Sequence, residues 1–194
     1  ATSQREKAAN IYKWVQQNIH YIAIENGLEG FIPRPADTVF KRKYGDCKDM
    51  TSILVTMCRL AKLDAYYTWV GSDELPYTNA ETPLICVNNH MICALKINEE
   101  WLFLDATNPV QPLGANRDDL QGKEAMIAIN EKTYKIVTIP EVAADNNVIT
   151  DSTYLKLGDG VVTGSVLQQH KGYPAWDIAY MNMHTSREED SRHA

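Results

Sequence analysis

The sequence predicts an α+β chain in which N-terminal helices pack on an antiparallel sheet, with a further β-hairpin and helix at the C-terminal end. Three observations carry that expectation. Apolar residues recur at helical spacing up to about residue 62. Runs of β-branched and aromatic residues, interrupted by tight-turn signals, follow to about residue 139. A Gly158-Asp159-Gly160 hairpin signal then precedes a last helical start at Tyr173-Pro174-Ala175-Trp176.

The chain opens with Ser3 and Glu6 at the spacing of a capping box, in which each side chain accepts from the other residue's backbone N–H. Ala8, Ile11, Tyr12, Val15 and Ile19 form a stripe with Trp14 on its flank, which predicts a helix over about 4–19. Tyr21 to Ile24 is a short extended run. Gly27, Gly30, Pro33 and Pro35 then break the chain into a long irregular loop, placed either to line a substrate groove or to serve as a plain connection. Ala36 to Lys43 has room for a helical turn or two. Asp46 carries the short carboxylate an N-cap needs, and Asp49 matches the acidic arm of a capping box, so a second long helix begins between Asp46 and Lys48. Met50, Ile53, Leu54, Met57, Leu60 and Ala61 give it an inward face, shared by Cys47, to about Lys62.

Ala65 to Val70 reads as a strand ended by Gly71-Ser72, and Ser72 to Pro83 as a loop. Leu84 to Val87 is a short apolar run. His90 to Ile97 and Trp101 to Asp105 are strands joined by a tight turn at Asn98-Glu99. With that turn, Ile97 pairs with Glu100 and Ile92 stands opposite Asp105, so His90, Ile92 and Asp105 share a face. His90 and Asp105 become diagonal neighbours, roughly 7–8 Å apart between Cα atoms, a gap two side chains can close with a hydrogen bond. A slip of one residue would send them to opposite faces.

Ala125 to Ile129 and Thr133 to Ile139 form a hairpin around Asn130-Glu131-Lys132 and close a first domain at 1–139. The acidic, proline-led stretch 140–147 reads as a linker. Thr153 to Leu157 and Val161 to Leu167 flank the Gly-Asp-Gly turn within 148–194, too few residues for an independent all-β domain. That segment either packs back on the core or begins a further, β-rich domain.

A net charge of −6 without a long basic run gives no electrostatic support for nucleic acid or an anionic membrane as partner. No stretch is apolar enough to span a bilayer, and the start at Ala1 leaves room for a processed or excised form. The four cysteines, at 47, 58, 86 and 93, have neither the density of a disulfide scaffold nor the paired spacing of a zinc ribbon. Cys86 and Cys93 flank His90, yet Cys93 falls on the opposite strand face, so a zinc site lacks ligands. No metal or cofactor is expected, and no dense acidic calcium loop is visible. Cys58 fits a buried small hydrophobe, and His20, His170, His184 and His193 fit surface roles.

Cys47 differs from the other cysteines because a thiol in the first turn of a helix meets unpaired N–H groups and the positive end of the dipole, which stabilise a thiolate. Cys47 is the candidate nucleophile. Its order before His90 and Asp105 resembles that of the transglutaminase-like core superfamily. The matching residues are Tyr44-Gly45-Asp46-Cys47-Lys48-Asp49, Asn89-His90 before an apolar strand, and Trp101-Leu102-Phe103-Leu104-Asp105-Ala106-Thr107-Asn108-Pro109. The resemblance spans approximately residues 1–137. It is closest to bacterial proteins that carry such a core between β-rich domains, where Pro33-Arg34-Pro35-Ala36 also matches.

The resemblance implies a core of papain-like layout with Cys47 as nucleophile, His90 as general base and acid, and Asp105 as orienter. It implies acyl transfer or hydrolysis at amide bonds of a protein, peptide or glycopeptide substrate, through a thioester. Protein-glutamine cross-linking and a non-catalytic binding module are the alternatives on the same fold. The Cys47 N–H would be one oxyanion donor. Tyr21 and Asn26 are candidates for a second. A periplasmic or cell-envelope location is likewise an implication of the resemblance only.

Overall fold

The computed structural model describes residues 3–24, 27–71 and 75–192, which fall into two units, Ala1–Glu141 and Val142–Ala194. In the first unit, α1 (Gln4–Asn18), α2 (Ala36–Arg42) and α3 (Cys47–Leu60) precede a five-stranded antiparallel sheet. Its strands are β3 (Asp64–Val70), β4 (His90–Ile97), β5 (Glu100–Leu104), β6 (Glu124–Ala128) and β7 (Tyr134–Thr138), in the order β5-β4-β3-β6-β7. Two short strands, β1 (His20–Tyr21) and β2 (Tyr44–Gly45), pair in parallel ahead of α3. The α+β class with N-terminal helices on an antiparallel sheet is as expected.

Helix starts follow the capping residues. Ser3 and Glu6 close a reciprocal capping box on α1. Asp46 and Asp49 close another on α3, where Asp46 Oδ1 accepts from the N–H of Lys48 at 2.9 Å and of Asp49 at 3.2 Å. The α3 helix is buried almost all round in its first turns, from Lys48 to Val55. It lies between α1 and the sheet. Its C-terminal end differs from the expected apolar stripe: the helix stops at Leu60 rather than near Lys62, and Leu60 is 76% exposed. Val55 and Cys58 take inward positions, with Met57 and Ala61 packed against the same cluster, so that Leu60 alone of the expected stripe is left exposed.

Two apolar clusters sandwich the sheet. Ala8, Tyr12 and Val15 of α1 pack with Ile53, Leu54 and Cys58 of α3 against Cys93, Leu95 and Leu104 on one face. Ile92, Ala94, Phe103 and Ile127 form the other face with Leu120 and Ile139. The alternation is that of a sheet buried on both sides. Trp14, read as core, stacks on Phe40 at 5.5 Å, and Lys43 Nζ stands 3.9 Å from the Phe40 centroid.

The β4–β5 hairpin has the expected register, with Ile97 opposite Glu100 and Cys93 opposite Leu104. Asn98 and Glu99 both take positive φ, at 50° and 67°, which matches the right-handed twist of the flanking strands. Leu84 to Val87 is a 3-10 turn at Ile85–Val87.

The second unit holds β8 (Val148–Gly158), β9 (Val161–Lys171) and α4 (Tyr173–Arg192). The hairpin signal is found, with Asp159 and Gly160 at φ of 39° and 78°, but the strands outrun the expected 153–157 and 161–167. Pairing continues to Val148 opposite Lys171 because polar and apolar side chains alike tolerate a ribbon whose faces are largely exposed. The His170 side chain is half-buried rather than at the surface, and its Nδ1 is shielded without a hydrogen-bond partner among the described residues. His193 lies outside the described residues, as does the side chain of His184.

The Asp46 cap makes a stability prediction. Its Oδ2 also accepts from Lys48 Nζ at 2.6 Å, and both side chains are buried. Asp46→Ala therefore removes the cap and strands a buried ammonium, and urea unfolding should show a loss of about 3 kcal/mol. A loss below about 1 kcal/mol, the size of an exposed surface pair, would contradict it.

Candidate active site

Cys47 is placed by the chain on both sides of it. Upstream, β1 pairs with β2 so that Tyr21 stands beside Gly45, and Ile22 N–H donates to Gly45 O at 2.9 Å. A Cβ at Gly45 would lie 2.4 Å from the Asp49 Cβ, so only glycine lets the chain pass this close to the capping carboxylate. Downstream, Thr51 Oγ1 lies 2.8 Å from Cys47 O and 3.0 Å from Met91 O, tying the first turn of α3 to β4 next to His90. The cap claims the N–H groups of Lys48 and Asp49. It leaves Cys47 N–H, the first of the helix, without an acceptor among the described residues.

Cys47 is partly exposed rather than part of the inward face. With His90 it lines a cavity of about 340 Å³ whose other walls include Gly27, Gly30, Phe31, Trp69 and Ile85. The long loop ahead of α2 thus borders this cavity. Arg34 fixes it there: the Arg34 N–H donates to Asp49 Oδ1 at 2.8 Å, and its guanidinium bridges Asp49 Oδ2 and Glu29 Oε2, each at 2.6 Å. Asp49 therefore both completes the capping box begun by Asp46 and anchors the cavity wall.

The diagonal relation of His90 and Asp105 is met: Nε2 lies 2.8 Å from Oδ2. An ionised carboxylate only accepts, so Nε2 carries the proton and donates. The other ring nitrogen, Nδ1, is not engaged by Asp105, and Cys47 lies near enough for its charge to act on the ring. Burial alone would lower the imidazole pKa, but the charge and hydrogen bond of Asp105, then those of Cys47, raise it to about 10. Burial works against the Asp105 carboxylate as well. His90, Arg117 and Thr107 outweigh it and hold that carboxyl below its usual range. Cys58 and Cys93 behave differently, for burial pushes the Cys58 thiol up to about 12 and Cys93 well above the ordinary value. Both lie in the apolar core and Cys86 is exposed away from the cavity lining.

Several residues at the site carried no sequence signal. Thr107 donates to Asp105 Oδ1 through its N–H at 3.0 Å and its hydroxyl at 2.7 Å, a local turn bond that the Asp-x-Thr spacing allows. Tyr12 donates to Asp105 O at 2.7 Å from the middle of α1. Gln16 Nε2 donates to Asn108 O and Gln111 O and so holds the segment that leaves β5. Arg117 reaches Asp105 from twelve residues downstream, and nothing local to it announces the contact. Of the second-donor candidates, Tyr21 is half-exposed in β1, and Asn26 lies outside the described residues. Among the described residues no group of three or more His, Cys, Asp or Glu side chains is arranged to hold a metal, and no helix is long and apolar enough to cross a membrane.

The His90–Asp105 pair predicts a pH signature in stability. The lowered Asp105 contributes fully above the free carboxyl value of 3.8 and loses that contribution as pH falls toward its folded value. The raised His90 contributes fully below 6.5 and loses its contribution as pH rises through about 10. The Tm gap between the unmodified chain and Asp105→Asn should therefore be widest between about pH 4 and 6.5 and narrow on either side. A gap independent of pH would show that Asp105 acts by shape alone.

The fold has a counterpart among solved structures. A similar fold occurs in a proposed protease of Parabacteroides distasonis, at TM-score 0.56 and 15% identity over 81% of this chain and 31% of that one. A proposed cysteine protease of Cytophaga hutchinsonii matches at TM-score 0.42 and 17% identity, over 86% of this chain and 45% of that one. Legionella pneumophila LapG, in an EGTA-treated form, matches at 0.45 and 14%, over 69% and 72%. The chain thus spans less than half the length of the first two. No curated protein matches it. The family model described as the transglutaminase-like superfamily matches residues 1–106, more than half of the sequence, and the chain belongs to that superfamily.

Proposed function

We propose that the chain is a cysteine hydrolase acting on amide bonds of polypeptide or glycopeptide substrates, with Cys47 as nucleophile, His90 as acid and base, and Asp105 as the group that orients His90. The observation that carries this reading is the His90 ring itself. It is held to Asp105 at 2.8 Å through Nε2 and shares the wall of one cavity with Cys47, which stands at the start of a helix.

In this reading the thiol proton resides on Nδ1 and the thiolate attacks the amide carbonyl carbon. Negative charge collects on the carbonyl oxygen, where the unclaimed Cys47 N–H donates to it. As the C–N bond breaks, Nδ1–H gives its proton to the departing amine and a thioester remains. Neutral His90 then takes a proton from water, the hydroxide adds to the thioester, and the acid leaves as the thiolate–imidazolium pair is restored. Asp105 stays ionised throughout and stabilises the imidazolium. The cavity opens to solvent, which favours water over an amine as acceptor. Cross-linking would need that water excluded.

Two measurements test the proposal. Iodoacetamide at about pH 5.5, followed by peptide mapping, should label Cys47 first, because the other thiols lack an imidazolium partner and ordinary thiols are almost wholly protonated there. Equal labelling of Cys58, Cys86 and Cys93 in the folded chain would remove the case for a nucleophile. On a fluorogenic peptide-amide library, Cys47→Ala and His90→Ala should each lose at least about 10³-fold, and Asp105→Ala less, since it leaves nucleophile and base in place. Turnover that survives Cys47→Ala would refute the proposal. Binding of a library peptide unchanged by all three substitutions, without turnover in the parent chain, would favour a binding module.

A further inference from the structure

Asp105 Oδ2 has two cationic neighbours, not one. Arg117 Nη1 stands 3.5 Å from this oxygen and 3.4 Å from His90 Nε2. Both nitrogens are donors, so they share the oxygen and do not bond one another. The guanidinium is held in place from behind by a fork on Asp119, with Nε 2.9 Å from Oδ1 and Nη2 on Oδ2. A fixed positive charge therefore lies at the edge of an imidazole that itself becomes positive.

We propose that Arg117 is a positioning residue that limits how tightly Asp105 holds the His90 imidazolium, and so keeps His90 able to release a proton. The argument is electrostatic. A buried carboxylate alone with an imidazolium, out of water, would make the proton costly to remove, whereas a general acid works best when its proton affinity lies near the working pH. A cation on the same oxygen divides the carboxylate's attraction and repels the imidazolium directly. Asp119 keeps the guanidinium from swinging away. The charged and titratable groups facing His90 are Asp105 from the end of β5, Cys47 from the start of α3, and Arg117 with Asp119 behind it from the segment between β5 and β6. Lys48 lines the same cavity, but its ammonium bonds Asp46 and makes no hydrogen bond to His90 among the described residues, whereas Arg117 Nη1 stands 3.4 Å from the ring nitrogen. Arg117 is thus the cation whose charge His90 meets at close range without a carboxylate standing between them.

The proposal rests on the catalytic reading for its purpose, but its test needs neither substrate nor thiol. The full chain with Cys47→Ala and ¹⁵N-labelled histidine removes the coupled thiol titration, and the His90 ring signals are assigned by their loss on His90→Gln. Arg117→Met in that background should raise the His90 titration midpoint by at least about one pH unit, the shift a cation at this distance produces even with the screening of bulk water. Arg117→Lys, which keeps the charge, should stay close to the parent. If Arg117 merely braced Asp105, its loss would loosen the His90–Asp105 bond and lower the midpoint. A lowered or unchanged midpoint in Arg117→Met, or a Lys variant that moves as far as the Met variant, overturns the proposal. Should Arg117→Met unfold before the titration is complete, Arg117→Gln gives the same reading with a polar side chain. Failure here leaves cysteine chemistry standing, since that chemistry is read separately from Cys47 alkylation.

Discussion

A carboxylate withdrawn from water at the end of β5 must be matched by donors, or the chain would fold with it protonated or not at all. Asp105 is matched on every side. Thr107 saturates Oδ1 from the next turn, His90 and Arg117 share Oδ2, and Tyr12 takes the backbone oxygen from α1. These partners come from a helix, a strand and the segment between β5 and β6, so satisfying one buried charge fixes how the first unit closes. The same need fixes the imidazole on the cavity wall that it shares with Cys47.

A second acidic cluster performs the corresponding task for the thiol. Asp46 caps α3 and Asp49 answers it, while Arg34 spends its backbone and side-chain donors on Asp49 and ties the preceding loop to the helix start. Gly45 lets the chain pass against Asp49 without a Cβ in the way. The backbone at Cys47 and one wall of its cavity are thus tied together through Asp49. Rigid support of this kind is what precise acyl-transfer geometry demands.

Much of this was legible in the sequence because it depends on local rules. The Ser3–Glu6 and Asp46–Asp49 boxes mark helix starts by spacing alone, and the Asn98-Glu99 turn sets the register that brings His90 to Asp105. What stayed hidden is long in sequence separation or depends on how far an element projects. Arg117 and Arg34 are ordinary exposed-looking cations until the fold brings each to a buried carboxylate. The parallel β1–β2 pair joins segments 24 residues apart, and although Tyr21 begins a run read as extended, nothing in either short run names its partner, as His20 opposite Tyr44 illustrates. Leu60 fits the apolar period of α3, yet the period cannot report whether a neighbouring element covers that position.

The account depends on Cys47 accepting an acyl group with help from His90. That is read most directly by exposing the folded chain to a peptide digest of a native extract, quenching in acid, and mapping acyl adducts by mass spectrometry. The account predicts a hydroxylamine-labile thioester on Cys47, absent from His90→Ala. No adduct on Cys47, or adducts spread equally over Cys58, Cys86 and Cys93, would contradict it.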